Sequence, residues 1–172
     1  MMNLRLPGLA IACAFVIPVA QAQVLQPGLW ELTSSNVQVE NQSLDVNMLL
    51  GVLKQNTTPE QRAALEKQGI NLGGQGVRVC LTPQQVASEA IPLTDPQSGC
   101  QQQITERKGP DWKFRFSCPK AQGAGTAHFV SDREFTTKVS GTFNATGIQQ
   151  NGSMDTKAVW LGQDCGAVKP RS

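Results

Sequence analysis

Cys80, Cys100, Cys118 and Cys165 are the side chains of this sequence with the most chemistry to offer. Thiolates hold zinc or exchange disulfides when two are spaced as in Cys-x-x-Cys, and no two of these are. Widely spaced and even in number, they are expected to pair as structural disulfides, each stabilising the fold by about 2–4 kcal/mol. His128 is the single histidine, with Ser131 and Asp132 close by in sequence. A general base beside a nucleophile has that composition. Yet His128 falls on the polar phase of a strand, and no Gly-x-Ser-x-Gly elbow occurs, so it reads as a solvent-facing residue beside a turn. One histidine cannot make a histidine metal cluster. The carboxylates Asp45, Glu60, Glu66, Glu89 and Asp95 are scattered, with neither calcium-loop spacing nor an acid–base pair. Trp30, Trp112 and Trp160 could stack on a ligand, but a strand tryptophan reads first as core with its N–H on one partner. No catalytic, cofactor-binding or metal residue is assigned, and no cofactor is expected.

The chain opens as an export signal. Arg5 supplies positive charge, Leu9 to Ala20 form an apolar stretch, and Ala20-Gln21-Ala22 is a small-x-small cleavage site. The stretch is too short to span a bilayer. Cleavage after Ala22 divides the chain into a signal peptide, 1–22, and one domain, 23–172, bound for the oxidising periplasm. Cys13, after Ala10-Ile11-Ala12, loosely matches a lipoprotein site. Cleavage there would leave the apolar run Ala14 to Val19 as a tail, so Cys13 is read as part of the signal core. The formal charge is only +2, and no basic run exceeds the pair Arg107-Lys108. Nucleic-acid binding therefore has no electrostatic footprint. No second apolar segment reaches the length of a membrane span.

Much of the remainder alternates with period two. Trp112, Phe114, Phe116 and Cys118 share one phase; Ala127 and Phe129 another; then Phe135 to Phe143, and Met154 to Trp160. Connections around Gly123, Ser131-Asp132-Arg133 and Asn151-Gly152 would join these runs as an antiparallel meander. Cys100 to Arg107 is the expected partner of the Trp112 strand. Centring that hairpin on Gly109 sets Ile104 opposite Phe114 and Cys100 opposite Cys118. A Cys100–Cys118 bridge is then plausible, leaving Cys80 for Cys165, although four cysteines allow three connectivities and spacing does not choose among them.

Further strands are expected over Gly28 to Val39 and Gly76 to Leu81, with a helical insert between them at about 41–76. Thr58-Pro59-Glu60-Gln61 and Thr82-Pro83-Gln84-Gln85 are helix N-termini, the first helix ending near Gly69 and the second before Pro92. Leu44 to Leu53 is apolar on more than one side and reads as a helix docked on an open face of the sheet. The competing reading makes Leu44, Val46, Met48, Leu49, Leu50, Val52 and Leu53 a lid or a surface for a ligand or partner.

Pro27-Gly28-Leu29-Trp30-Glu31-Leu32-Thr33, Cys80-Leu81-Thr82-Pro83-Gln84-Gln85, then Cys100, Cys118 and Gly162-Gln163-Asp164-Cys165 resemble domain-of-unknown-function family 3617. The likeness covers the chain after the signal, in order, and is weakest between Asn41 and Gly76. It implies a Gram-negative exported protein with a compact β-rich domain, and it brings no activity or cofactor. The resulting expectation is one β-rich α+β domain: a bent antiparallel meander of about six or seven strands, two or three short helices and two disulfides. Its function would be non-enzymatic binding of an apolar small molecule, a lipid or an envelope partner. The alternative is a structural or inhibitor-like interaction module; a hydrolase ranks behind both.

Overall fold

The structure, a computed structural model, describes residues 25–67, 76–88, 90–92, 99–144 and 147–170. In chain order its elements are β1 (Gly28–Val39), β2 (Gln42–Leu44), α1 (Val46–Gln55), α2 (Pro59–Lys67), β3 (Val77–Leu81), α3 (Pro83–Ala87), β4 (Gln101–Lys108), β5 (Asp111–Cys118), β6 (Ala121–Ser131), β7 (Glu134–Asn144) and β8 (Gln149–Gly162). All strands join one antiparallel sheet in the order β2-β1-β8-β7-β6-β5-β4, with β3 also on β1. The β-rich α+β class, the antiparallel meander, the short helices and the two disulfides stand as the sequence implied. Eight strands replace six or seven because one edge strand is split.

That split is informative. Val77 to Leu81 pair with Leu32 to Gly28, while Gln42 to Leu44 pair with Val39 to Val37. Both pieces run antiparallel to β1 along the same edge. They are two halves of a single edge strand, which the chain leaves after Leu44 and rejoins at Val77. Helices α1 and α2 form the described part of that excursion; the expected end of α2 at Gly69 lies outside the described residues. The β1–β2 turn carries Glu40 and Asn41 at φ 48° and 65°, both left-handed, as a two-residue type I′ hairpin requires.

Alternation sorts the faces. Trp112, Ala127, Thr137, Thr156 and Ser34 lie in one row across β5, β6, β7, β8 and β1, beside a row of Phe129, Phe135, Ala158 and Leu32. These rows carry the core, where Trp30 meets Phe135 at 5.6 Å and Trp112 meets Phe129 at 4.7 Å between ring centroids. The opposite face is polar, with Asp111, His128, Thr136 and Lys157 in one of its rows. Thr137 and Thr156 are the exceptions within the core: both are buried, and neither hydroxyl has a hydrogen-bond partner. Burying an unpaired hydroxyl costs on the order of 1–3 kcal/mol. Thr137→Val is therefore expected to raise the urea midpoint by the equivalent of about 1 kcal/mol; a fall would mean the hydroxyl makes a bond after all.

Two expected turns prove to be strand interior. The β5–β6 connection is Pro119-Lys120, and β7 reaches β8 after Asn144. Gly123 sits inside β6 opposite Gly141, which in turn faces Gly152 within β8. A Cβ on Gly123 would collide with the Ser140 carbonyl and lie 2.8 Å from Phe116 Cζ; on Gly152 it would lie 2.8 Å from Phe143 Cε1. Neighbouring backbone and aromatic rings occupy the space a side chain would need, which is how glycines let a sheet bend. The β4–β5 hairpin also differs in detail. Its turn pairs Lys108 with Asp111, and a bulge between Ile104 and Glu106 then restores Ile104 opposite Phe114.

Among the described residues, the apolar face is covered by α3 and the segment at Ile91, not by α1. Thr82 opens α3 with a capping box, its side chain accepting from the Gln85 N–H while the Gln85 side chain accepts from the Thr82 N–H at 2.8 Å. Beyond α3, Ile91 is 1% exposed and joins Leu81 in the core. Its N–H donates to Gln102 Oε1 at 2.9 Å and its carbonyl accepts from Gln102 Nε2 at 3.3 Å, tying this strap to the far edge strand. Among the described residues, no apolar side chain of α1 lies in the core or packs against it. The expectation that Leu44 to Leu53 docks on the open sheet face is not met, because the strap already occupies that face.

Candidate functional site

Helix α1 begins at Val46, two residues later than the apolar pattern suggests, because Leu44 belongs to β2. Asp45 caps it, accepting from the Met48 N–H at 3.1 Å. The next turns place Met48, Leu49, Val52 and Leu53 on adjoining i, i+4 rows. They are 71%, 66%, 50% and 39% exposed, and Leu44 beside them is 52% exposed. Val46 and Leu50 are half-buried. Contact with the sheet is slight and is made mainly with β1. Helix α2 follows through a second capping box, the Thr58 N–H donating to Gln61 Oε1 at 2.8 Å. Hydrogen bonds from the backbone at the helix start and from Thr58, helped by Arg62, hold the Glu60 carboxyl below its ordinary value. The chemical capacity of α1 is an apolar surface facing water.

The polar sheet face was not singled out by the sequence. Its rows place Lys113, Thr126, Lys138 and Asp155 side by side, next to Arg115, Ala124, Ser140 and Ser153. An open groove of about 560 Å³ runs over them, and a second of about 680 Å³ lies towards Gln101, Gln122 and Thr142; Arg115 lines both. Lys113 pairs with Glu106 at 2.7 Å and Lys138 with Asp155 at 3.9 Å, so most of the charge there is internally compensated. Period-two alternation would have found these residues, but it cannot rank one polar row above another.

His128 meets a partner the sequence did not suggest. Its Nδ1 lies 2.7 Å from Asp111 Oδ1, directly across the β5–β6 pair, with both side chains exposed. Exposed pairs of this kind contribute ~0–1 kcal/mol. Ser131 Oγ instead accepts from the Arg133 N–H at 3.1 Å, and Asp132 Oδ2 accepts from Gln26 Nε2 at 2.6 Å. The three residues are not brought together as nucleophile, base and orienter. Cys80 is bridged to Cys165 and Cys100 to Cys118, with Cα separations of 5.6 and 4.0 Å. Among the described residues no three of His, Cys, Asp and Glu converge to hold a metal ion. Nor is any helix there long and apolar enough to cross a membrane.

Trp30 and Trp160 turn inward to the chain's own backbone. Their indole N–H groups donate to the carbonyls of Gln26 and Pro27 at 2.9 and 3.1 Å. The opening Pro27 to Thr33 stretch thus fastens the start of β1 to β8, and Cys80-Leu81-Thr82 combines a bridge, a core residue and a helix cap. The stretches most diagnostic of the sequence hold the fold together, while the apolar helix lies outside them.

The chain is 59% identical over 140 residues to an uncharacterized protein in the lpd-3 5′ region of Pseudomonas putida, a match covering 78% of this chain and 98% of that protein. No solved structure matches. A family model covers residues 25–165, from the first described residue through Cys165. On that span, with the two bridges and the strap inside it, the chain belongs to the family described as protein of unknown function DUF3617.

Proposed function

We propose that this chain is an exported, periplasmic docking module, released after Ala22, which engages its partner through α1 and performs no chemistry of its own. The observation that carries this reading is the exposed row Met48, Leu49, Val52 and Leu53, on a helix that adds nothing to the core. Large apolar side chains held in water on a built helix cost solubility, and such patches mark contact surfaces. Export is supported by the leader-like opening and by two disulfides, which persist in oxidising compartments. A surface mode is favoured over an enclosed carrier because the aromatic core is filled by its own rings and the grooves on the sheet are open to solvent.

The Leu49→Glu, Val52→Glu double variant tests the reading. Because both side chains are exposed, the unfolding midpoint should move by no more than the equivalent of ~0.5 kcal/mol. Fluorescence of anilinonaphthalene sulfonate bound to the native protein should fall sharply. Loss of stability with unchanged dye binding would make α1 a structural element and overturn the proposal.

A further inference from the structure

We infer that the polar face of the sheet carries a binding site for an acidic sugar, a ring bearing hydroxyls and one carboxylate or phosphate. The site is separate from α1 and does not depend on the docking reading. Its floor is set by strand register. Ala124, Ser140 and Ser153 follow one another across β6, β7 and β8, in the row that also holds Arg115 on β5. Short side chains on three adjacent strands lower the face there. Longer ones stand on either side, Lys113 and Lys138 in one flanking row, Gln122 and Thr142 in the other. The groove of about 560 Å³ lies on this floor, and the groove of about 680 Å³ adjoins it at Arg115. Both sizes fall within the range of small-molecule sites.

Charge decides which ligand such a trough would hold. Lys113 is engaged by Glu106 at 2.7 Å. Asp155 accepts from Asn36 Nδ2 at 2.8 Å and lies 3.9 Å from Lys138 Nζ, too far for a hydrogen bond. The Lys138 side chain is 78% exposed, so its ammonium is free to turn towards the floor. Arg115 makes no ion pair among the described residues. Three cations against two carboxylates leave one positive charge, and Arg115 carries it where the two grooves meet. A guanidinium there can grip a carboxylate or phosphate through two parallel N–H donors.

The remaining lining suits the rest of a sugar. The methyl groups of Ala124 and Thr126 and the stems of Lys113 and Lys138 offer surface to ring C–H groups. Ser140, Gln122 and Thr142 offer hydroxyls and an amide to the ring's own hydroxyls. These rows hold no aromatic side chain on which a base could stack, and one net charge is too little for a phosphodiester chain.

Titrating the disulfide-bonded protein with glucuronate, glucose-6-phosphate, glucose and inorganic phosphate, followed by amide shifts in heteronuclear NMR spectra, tests this. At least one of the two acidic sugars should shift the amides of Ala124 and Ser140 with a Kd of about 1 mM or below. Which of them does so tells a carboxylate from a phosphate. Glucose and inorganic phosphate should each bind at least about tenfold more weakly. Arg115→Gln should weaken the acidic sugar by about tenfold or more. Ala124→Leu, which fills the floor from an exposed strand position, should abolish the shifts and leave the unfolding midpoint in place. The site is refuted if neither acidic sugar shifts these amides by about 10 mM, or if binding survives either substitution. Inorganic phosphate binding as tightly as the acidic sugars would also overturn it, leaving a bare anion site. So would glucose binding as tightly as they do, since Arg115 would then be idle.

Discussion

Replacing Cys80 and Cys165 together by alanine is expected to lower the unfolding free energy by about 4.5 kcal/mol, against about 3 kcal/mol for the Cys100, Cys118 pair. The difference comes from the unfolded chain. One bridge closes a separation of 85 residues and the other a separation of 18, and the entropy removed by a cross-link rises with the logarithm of the loop. Native context points the same way. Cys80 is the penultimate residue of the short edge strand β3, which is held to the sheet over only five register positions on β1, carries Leu81 into the core and then leads on towards Ile91. Its bridge to Cys165 runs from β3 to the chain just past the end of β8, and β3 and β8 are the two strands that flank the start of β1. Cys100 and Cys118, by contrast, join strands already zipped along β4 and β5. With total stabilities of ~5–15 kcal/mol typical of domains, loss of the longer bridge should leave a marginal protein. Urea titration of both double variants under oxidising conditions checks the ranking; a larger cost for the Cys100, Cys118 pair would contradict it.

Residues whose role depends on one strand at a time were legible in the sequence. Alternation located β5, β7, β8 and the second half of β6, and Thr58 and Thr82 announced their helices because a capping box is a local device. Residues whose role depends on a neighbouring strand were not. Gly123 and Gly152 look like turn glycines in sequence, yet each is needed where the adjacent strand or a phenylalanine ring takes the place of a side chain. The collinearity of β2 and β3 could not be read either, since only their shared pairing with β1 reveals that the intervening helices leave one edge strand and return to it. The same holds for α1. An all-round apolar pattern implies burial, but whether a face is free depends on what else covers the sheet, and Ile91, in an unpatterned stretch, had taken that place. The candidate surface was therefore legible as a set of residues, while its exposure was not.

Trp30→Ala should cost about 3–5 kcal/mol, the largest effect of any single core truncation in this protein. The ring is 0% exposed, packs on Phe135, and lies between Val79 of β3 and Trp160 of β8 in the register of β1. Truncation would open a cavity at the junction of all three strands and would also leave the Gln26 carbonyl without the indole N–H it accepts. Both losses fall on the segment that anchors the chain's entry into the sheet, where the Gln26 N–H donates to the Asp132 carbonyl at 2.9 Å. Trp30→Phe keeps most of the volume and separates the two contributions: about 1–2 kcal/mol should remain for the lost hydrogen bond and the smaller ring. Trp160→Ala is the control. Its ring is only half-buried, with the Arg133 guanidinium 4.9 Å from the ring centroid, so truncation removes less contact and leaves less void. Denaturant titration of the three variants should rank Trp30→Ala well below Trp160→Ala, with Trp30→Phe the least affected or close to it. Equal costs for the two alanine variants would show that the core yields around Trp30. The opening motif would then need a purpose other than closing the sheet, and a ligand-stacking role for Trp30 would return to contention.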